Sequence, residues 1–163
     1  LFRSRSGWLA RPDKWFGGRS LIPLMFAAPK QKSTRAKPTD WEGQEQVTLL
    51  SEIELRHPAA FKLIYHPANG GHRHKLVAIK LKKQGVKAGV PDLVLPMARG
   101  GYFGLYIEFK ATPPHDSPVS ASQDAYIQGL ISEGYLAVVC RGWRDAMEVL
   151  GNYLKQTRTA VAA

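Results

Sequence analysis

The chain has 163 residues, of which 44% are hydrophobic, and it carries a formal net charge of +10. This length and hydrophobic content suffice for one domain with an ordinary core and argue against a second full-sized domain. The positive charge favours a nucleic-acid partner, although its distribution along the chain is more informative than its total.

The leading segment holds most of the excess charge. Residues 1–37 contain nine Lys or Arg residues and a single acid, Asp13, whereas the remaining 126 residues have a net charge of only +2. We expect residues 1–38 to form a basic, poorly ordered N-terminal arm that assists binding. An organellar targeting peptide has a similar composition and remains an alternative. The apolar run at residues 21–28 is too short to span a bilayer, so no membrane partner is expected.

Helical patterns dominate the next part of the chain. We predict a helix over residues 40–55, a possible short strand over 61–66, and a helix over 73–83 that Gly85 closes. In the first helix, Glu45 lies at a spacing of four from Leu49 on the core-facing stripe. Glu42 completes a Thr39-x-x-Glu42 pattern, which is typical of a capping box and favours a structural role for Glu42.

A basic cluster follows this first helix, with no acid between residues 73 and 91. Its members are Arg73, Lys75, Lys80, Lys82, Lys83 and Lys87. The cluster favours contact with a DNA phosphate backbone, and a solvated helix face is the structural alternative. Asn69 and His72 precede it in a glycine-containing loop and are candidates to reach a phosphate or to shape that loop. The neighbouring histidines lack the spacing of a zinc site, and none is predicted.

Two apolar segments, residues 89–95 and 104–110, are separated by a glycine-containing turn and predict an antiparallel hairpin. Alternation along the second strand puts Glu108 and Lys110 on one face, and the hairpin brings Asp92 beside Glu108. Two close carboxylates suit Mg²⁺ or Mn²⁺, and Lys110 can balance the charge of an attacked phosphate. An exposed Glu-x-Lys pair without a function is the alternative, but the apolar neighbours favour a site.

The last third of the chain predicts a helix from Ser120 to Glu133, a strand from Leu136 to Cys140, and a helix from Arg144 to Leu154. The expected fold is α/β, with a small mixed β-sheet flanked by helices. Ser120-x-x-Gln123 is itself a capping-box pattern. Residues 157–163 are expected to form a flexible tail. The lone cysteine excludes an internal disulfide and, as a strand thiol, favours an intracellular, cytoplasmic setting.

Three motifs in order carry a family resemblance: Gly-Val-Pro-Asp92, Glu108-x-Lys110 and Ser120-x-x-Gln123. Together they resemble the VRR-NUC branch of the PD-(D/E)XK nucleases, over about residues 41–154. One departure is the sequence Pro-Ala-Asn-Gly-Gly at 67–71, where the family often has Pro-Asn-Gly-Gly.

The resemblance implies a restriction-endonuclease-like core in residues 39–156 and a metal-dependent DNA endonuclease. It implies metal ligation by Asp92 and Glu108, and catalytic roles for these two residues with Lys110 and Gln123. The superfamily usually adds an acid from the first helix, for which we prefer Glu45 and keep Glu42 as the alternative. Products with 5′-phosphates are expected.

The resemblance also implies a substrate, since small members of the family look like junction-directed nucleases of phage and bacterial origin. We therefore expect a homodimer acting on Holliday junctions or branched DNA, near the nucleoid or in a phage-infected cell. A nick or flap nuclease of the same fold and a non-catalytic DNA-binding module are the alternatives. An RNA-binding function is not favoured, because Trp8, Trp15 and Trp41 form no recognisable stacking motif.

Overall fold

A computed structural model describes residues 38–67 and 75–160. In chain order the elements of these residues are α1 (Trp41–Arg56), α2 (Pro58–Phe61), α3 (Lys75–Lys83), β1 (Leu93–Leu95), β2 (Leu105–Lys110), α4 (Ala121–Ser132), β3 (Leu136–Arg141) and α5 (Trp143–Leu154). The predicted arm lies outside the described residues except for its last residue. No helix in the described ranges has the length and apolar character needed to cross a membrane.

The sheet has three strands in the order β1-β2-β3 within the described ranges. β1 and β2 run antiparallel, and Leu93 pairs with Ile107. β2 and β3 run parallel, with α4 as the crossover helix, and Leu105 pairs with Leu136. The prediction of an α/β fold with a small mixed sheet flanked by helices is confirmed.

The core lies between β2 and the helices α1 and α5. Alternate residues of β2, including Ile107 and Phe109, are buried together with Leu49 and Ile53 of α1 and Leu150 of α5. Since side chains alternate along a strand, Glu108 and Lys110 point to the opposite face of β2. This division leaves one face of the central strand for packing and the other for polar groups.

Helix α1 begins at a different cap from the predicted one. The Asp40 carboxylate, rather than Thr39, accepts a hydrogen bond from the backbone N–H of Gly43 at 2.9 Å. Both residue types cap helices well, and the helix starts one residue later than a Thr39 cap requires. The consequence is that Glu42 is not part of a Thr39 capping box.

Two other segments differ from prediction. The possible strand at 61–66 is replaced by the end of the short helix α2 and by Tyr65, which forms a single antiparallel bridge with Val94. Residues 157–160, expected within a flexible tail, bond instead to the turn after β1. The N–H of Gly100 donates to the carbonyl of Thr157 at 2.9 Å, and the N–H of Thr159 donates to the carbonyl of Ala98 at 3.3 Å.

Candidate active site

The antiparallel hairpin brings the first two acids together. The pairing of Leu93 with Ile107 sets Asp92 opposite Glu108, one step further along the ladder. The Asp92 side chain accepts a hydrogen bond from the backbone N–H of Phe109 at 3.0 Å. This bond ties the Asp92 carboxylate to β2, so that it lies beside Glu108.

Glu108 and Lys110 form a buried ion pair. Lys110 Nζ lies 2.7 Å from Glu108 Oε1. The exposed fraction is 0% for Glu108 and 4% for Lys110, so the alternative of a solvated Glu-x-Lys face does not hold. Buried charges carry a large desolvation cost unless they are paired, and their retention here favours a role in chemistry.

The Glu108 carboxyl is both desolvated and incompletely paired. Burial raises its pKa to about 7; the bond from Lys110 opposes the rise, and the charge of Asp92 adds to it. Within residues 38–67 and 75–160, Glu108 Oε2 has no hydrogen-bond partner. Since an unpartnered carboxylate oxygen is costly in the interior, this atom is suited to an external cation.

The side-chain amide of Gln123 forms hydrogen bonds both to the start of α4 and to Glu108. Its Oε1 accepts from the backbone N–H of Ser120 at 2.8 Å, and the Ser120 hydroxyl accepts from the backbone N–H of Gln123, which completes the predicted capping box. Its Nε2 donates to Glu108 Oε1. Because a backbone N–H can only donate, the cap fixes the amide orientation and directs the NH₂ group at Glu108.

Gly89, in the Gly-Val-Pro-Asp segment, lets the loop before β1 approach α4 closely. Its φ is +82°, and a Cβ at this position would collide with the carbonyl of Ser122 and lie 2.9 Å from the backbone nitrogen of Gln123. Only glycine combines this backbone conformation with this contact. The loop that carries Asp92 is thereby held against the helix turn that carries Gln123.

The two acids of α1 have different surroundings. The carboxylate of Glu45 accepts from the backbone N–H of Thr112 at 2.9 Å, from its hydroxyl at 2.7 Å, and from the backbone N–H of Trp143 at 3.2 Å. Although burial acts to raise it, these bonds lower the pKa of Glu45. Glu45 thus joins α1 to the end of β2 and the start of α5, and the preference for it as a metal ligand is not supported.

Glu42 is the acid of α1 whose pKa responds to the charged residues of the site. Burial raises the pKa of Glu42, the charge of Lys110 lowers it, and the charge of Asp92 raises it further. With Asp40 as the helix cap, the Glu42 carboxylate is not committed to the capping role that the sequence suggested. Of the two candidates from the first helix, Glu42 is the one whose pKa responds to the charges of Asp92 and Lys110, although it forms no three-acid metal cluster with Asp92 and Glu108.

The donor set suits a hard divalent cation, although it is not a complete cage. The described ranges contain no cluster of three or more His, Cys, Asp or Glu side chains arranged to hold a metal ion. Mg²⁺ typically takes one or two carboxylates and keeps waters or substrate phosphates as its other ligands. The Asp92–Glu108 pair, with Glu108 Oε2 unpartnered, fits that mode of binding.

His66 contacts this site and was not predicted to belong to it. Its Nδ1 lies within hydrogen-bond distance of the backbone carbonyl of Asp92 and 3.3 Å from Gln46 Nε2; because a carbonyl oxygen can only accept, the bond to Asp92 forms in the tautomer that carries the proton on Nδ1. The ring is exposed and lies in the segment that leads from α2. His66 and Asp92 are 26 positions apart, and no spacing pattern in the sequence links them.

The predicted DNA-binding residues are only partly described. Lys80, Lys82, Lys83 and Lys87 are exposed, the first three on α3 and the last in the loop after it. Lys75 is described by its helical backbone alone, and Asn69, His72 and Arg73 lie outside the described residues.

Cys140 is buried, and burial raises its pKa to about 12, so the thiol is not a reactive group.

Comparisons with known proteins agree with this geometry. One solved structure, a VRR-NUC domain protein, is 32% identical and superposes with a TM-score of 0.64 over 76% of this chain and 94% of its own. A comparison with curated proteins finds no match. The VRR-NUC domain family matches residues 40–143, a range that includes the paired carboxylates, Lys110 and Gln123. That range is more than half of the 163 residues, and the chain therefore belongs to the VRR-NUC family of nuclease domains.

Proposed function

We propose that this chain is an endonuclease that hydrolyses DNA phosphodiester bonds with Mg²⁺, or with Mn²⁺ in its place, and that it selects branched DNA. The observation that carries the proposal is the buried carboxylate of Glu108, which lies opposite Asp92 and keeps Oε2 without a partner among the described residues. A divalent cation at the point of cleavage can activate water and stabilise the attacked phosphate, and carboxylate oxygens are ligands that hold such a cation.

In this proposal Asp92 and Glu108 hold the cation, and Glu42, whose pKa responds to the charge of Asp92, is the acid of α1 that would join them when the cation binds. When bound, the cation supplies Lewis-acid stabilisation of the attacked phosphate and lowers the pKa of a coordinated water. The carboxyl of Glu108, whose pKa is raised to about 7, must lose its proton as the cation binds. Cation binding is therefore expected to weaken as pH falls below neutrality.

Lys110 and Gln123 act on the same carboxylate from different elements. Lys110 Nζ donates one of its three protons to Glu108 Oε1 at 2.7 Å and keeps two for the attacked phosphate. The bond from Gln123 Nε2 fixes the rotamer of Glu108. Both residues thus orient the metal-binding carboxylate, and Lys110 also adds positive charge where the phosphate gains negative charge.

The exposed lysines of α3 supply sequence-independent affinity for the phosphate backbone. Lys80, Lys83 and Lys87 recur at intervals of three and four, which puts the first two on one side of the helix. Each phosphate contact steepens the salt dependence of binding. The preference for branched DNA rests on the resemblance to junction-directed members of the family, and two copies would present two sites to a four-way junction.

Cleavage assays on defined DNA structures test the proposal. The purified protein is incubated with labelled four-way junction, flap, nicked and linear duplex DNA, with Mg²⁺ or with a chelator, beside Asp92→Ala and Lys110→Ala. We expect Mg²⁺-dependent cleavage with 5′-phosphate products by the wild type only, fastest on the branched substrates.

Other outcomes separate the alternatives. Equal cleavage by wild type and variants, or cleavage that survives chelation, contradicts the proposed site. Tight, salt-dependent binding without cleavage by the wild type supports the non-catalytic module. Fastest cleavage of nicked or flap DNA, with junctions cut slowly, supports the nick or flap nuclease. Sedimentation with and without junction DNA checks the expected homodimer.

A further inference from the structure

An exposed aromatic stack stands beside the proposed active site. The rings of Trp41 and His115 lie with their centroids 4.5 Å apart and their planes at 14°. Both side chains are exposed, with 44% of the Trp41 surface accessible. His115 covers one face of the Trp41 ring, and the accessible part of the Trp41 side chain is free to stack on a ligand.

The stack adjoins the site through both of its members. Trp41 is the first residue of α1, and the two hydrogen bonds from Thr112 to Glu45 hold the start of this helix against the segment that follows β2. His115 lies in the loop that follows Lys110 at the end of β2. The two rings therefore belong to the same end of β2 as the paired carboxylates.

Hydrogen bonds hold the backbone segments that carry the two rings. The N–H of His115 donates to the carbonyl of Thr112 at 3.0 Å, and Glu45 holds Thr112 with two hydrogen bonds. Trp41 is fixed by the start of α1, where the Asp40 cap bonds Gly43. A preorganised surface loses little conformational entropy when a ligand binds to it.

We propose that Trp41, supported by His115, is a stacking platform for an unpaired nucleobase next to the phosphate that is cut. Every base has an aromatic face, so stacking needs no particular sequence, but it does need a base released from its helical stack. Such bases occur at branch points and flaps rather than in a continuous duplex. This inference rests on the proposed function and supplies a physical basis for its preference for branched DNA.

The test combines cleavage kinetics with a fluorescent base. 2-Aminopurine is put at the unpaired position of a flap substrate and, separately, inside a linear duplex, in the Lys110→Ala background with Mg²⁺. We expect the flap signal to be quenched on binding and the duplex signal to change little. Trp41→Ala should abolish the quenching and weaken flap binding by about 5- to 150-fold, while duplex binding stays nearly the same.

Two variants distinguish stacking of Trp41 on a base from a purely structural contact between Trp41 and His115. Trp41→Phe keeps an aromatic face and should retain most of the flap preference. Phe103→Ala removes another exposed aromatic side chain, 51% accessible, which lies just before the opposite end of β2. It should leave the binding of both flap and duplex DNA unchanged. If Trp41→Ala weakens flap and duplex binding equally and leaves the quenching unchanged, the Trp41–His115 stack only holds α1 against the loop after β2. That result would overturn the platform.

Failure of this inference is distinguishable from failure of the proposed function. If wild-type protein cuts branched DNA with Mg²⁺ and Trp41→Ala keeps the same ratio of flap to duplex cleavage, the platform is wrong and the nuclease stands. If wild-type protein neither binds nor cuts any of the DNAs, the proposed function is wrong, and the platform falls with it.

Discussion

Gln123 donates a side-chain hydrogen bond from α4 to Glu108 on β2, with the same amide whose oxygen closes the capping box at Ser120. The helix start and the site therefore depend on one side chain. The geometry also separates the two roles experimentally, because the Ser120 hydroxyl belongs to the cap, whereas the bond to Glu108 belongs to Gln123 alone.

The first prediction compares Gln123→Ala with Ser120→Ala. Loss of either cap partner should lower the free energy of unfolding by about 1 kcal/mol. Gln123→Ala should in addition reduce the cleavage rate by about 10- to 100-fold, because a bond that orients a metal-binding carboxylate is lost. Denaturant unfolding and single-turnover cleavage measure the two effects. Equal activity losses in both variants would mean that the cap, rather than the bond to Glu108, matters.

The second prediction concerns pH. The pKa of Glu108 is raised to about 7 from an ordinary value of 4.5, so the folded protein binds more protons than the unfolded chain between these values. Stability without a divalent cation should therefore fall as pH rises from about 4.5 to about 7 and stay lower above it. Mg²⁺ stabilises the ionised carboxylate and should reduce this fall.

Thermal unfolding at several pH values, with a chelator or with Mg²⁺, measures this contribution. Glu108→Gln is the control, because an amide of nearly the same shape does not ionise and should remove most of the fall and of its response to Mg²⁺; Glu42, whose pKa is also raised, contributes the remainder. Parallel pH profiles for wild type and Glu108→Gln would contradict the assignment of the titration to Glu108.

Local patterns in the sequence predicted the parts of the site that lie on one hairpin or one helix turn. Alternation put Glu108 and Lys110 on one face, and the three-residue spacing of Ser120 and Gln123 predicted the capping box that forms. The sequence did not decide the cap of α1, since Thr39 and Asp40 are adjacent and both residue types cap helices. Asp40 is the cap because the first helical turn begins at Trp41.

Contacts between distant segments were not predictable in the same way. Glu45 and Thr112 are 67 positions apart, and His66 and Asp92 are 26 apart, and neither pair has a characteristic spacing. Glu45 lies on the core-facing side of α1, as its spacing indicated, but the end of β2 and the start of α5 supply its partners. Which acid of α1 faces the site is decided by tertiary packing, which a single sequence does not contain.

The third prediction compares the two acids of α1. Glu42→Gln should weaken Mn²⁺ binding and raise the Mg²⁺ concentration needed for cleavage, with little change in stability. Glu45→Gln should leave Mn²⁺ affinity nearly unchanged and lower the free energy of unfolding by about 1 to 3 kcal/mol, because charge-assisted bonds to Thr112 and Trp143 are weakened. Calorimetric Mn²⁺ titration and denaturant unfolding measure the two quantities, and the reversed pattern would restore Glu45 as the ligand.

The fourth prediction concerns His66, which holds the backbone of Asp92 through a side-chain N–H. His66→Ala should reduce cleavage by about 10-fold or more through a weaker apparent affinity for Mg²⁺, because the residue bearing a metal-binding carboxylate is less well positioned. His66→Asn retains an N–H donor at a similar distance from the backbone and should recover most of the affinity. Mg²⁺ titrations of the cleavage rate measure the effect, and an unaltered titration in His66→Ala would exclude a positioning role.

The last prediction concerns Gly89, where backbone conformation and close packing coincide. Gly89→Ala must accommodate a Cβ at a φ of +82° and against the carbonyl of Ser122. It should lower the free energy of unfolding by at least about 2 kcal/mol and also reduce cleavage by the folded fraction, since Asp92 and Gln123 move apart.

Gly85→Ala is the matched control, because Gly85 has a φ of +97° with no atom within 4 Å of the added Cβ. It should cost only the backbone strain, about 1 to 2 kcal/mol, and leave cleavage intact. Equal effects of the two substitutions on both measurements would mean that the contact with α4 does not position the site.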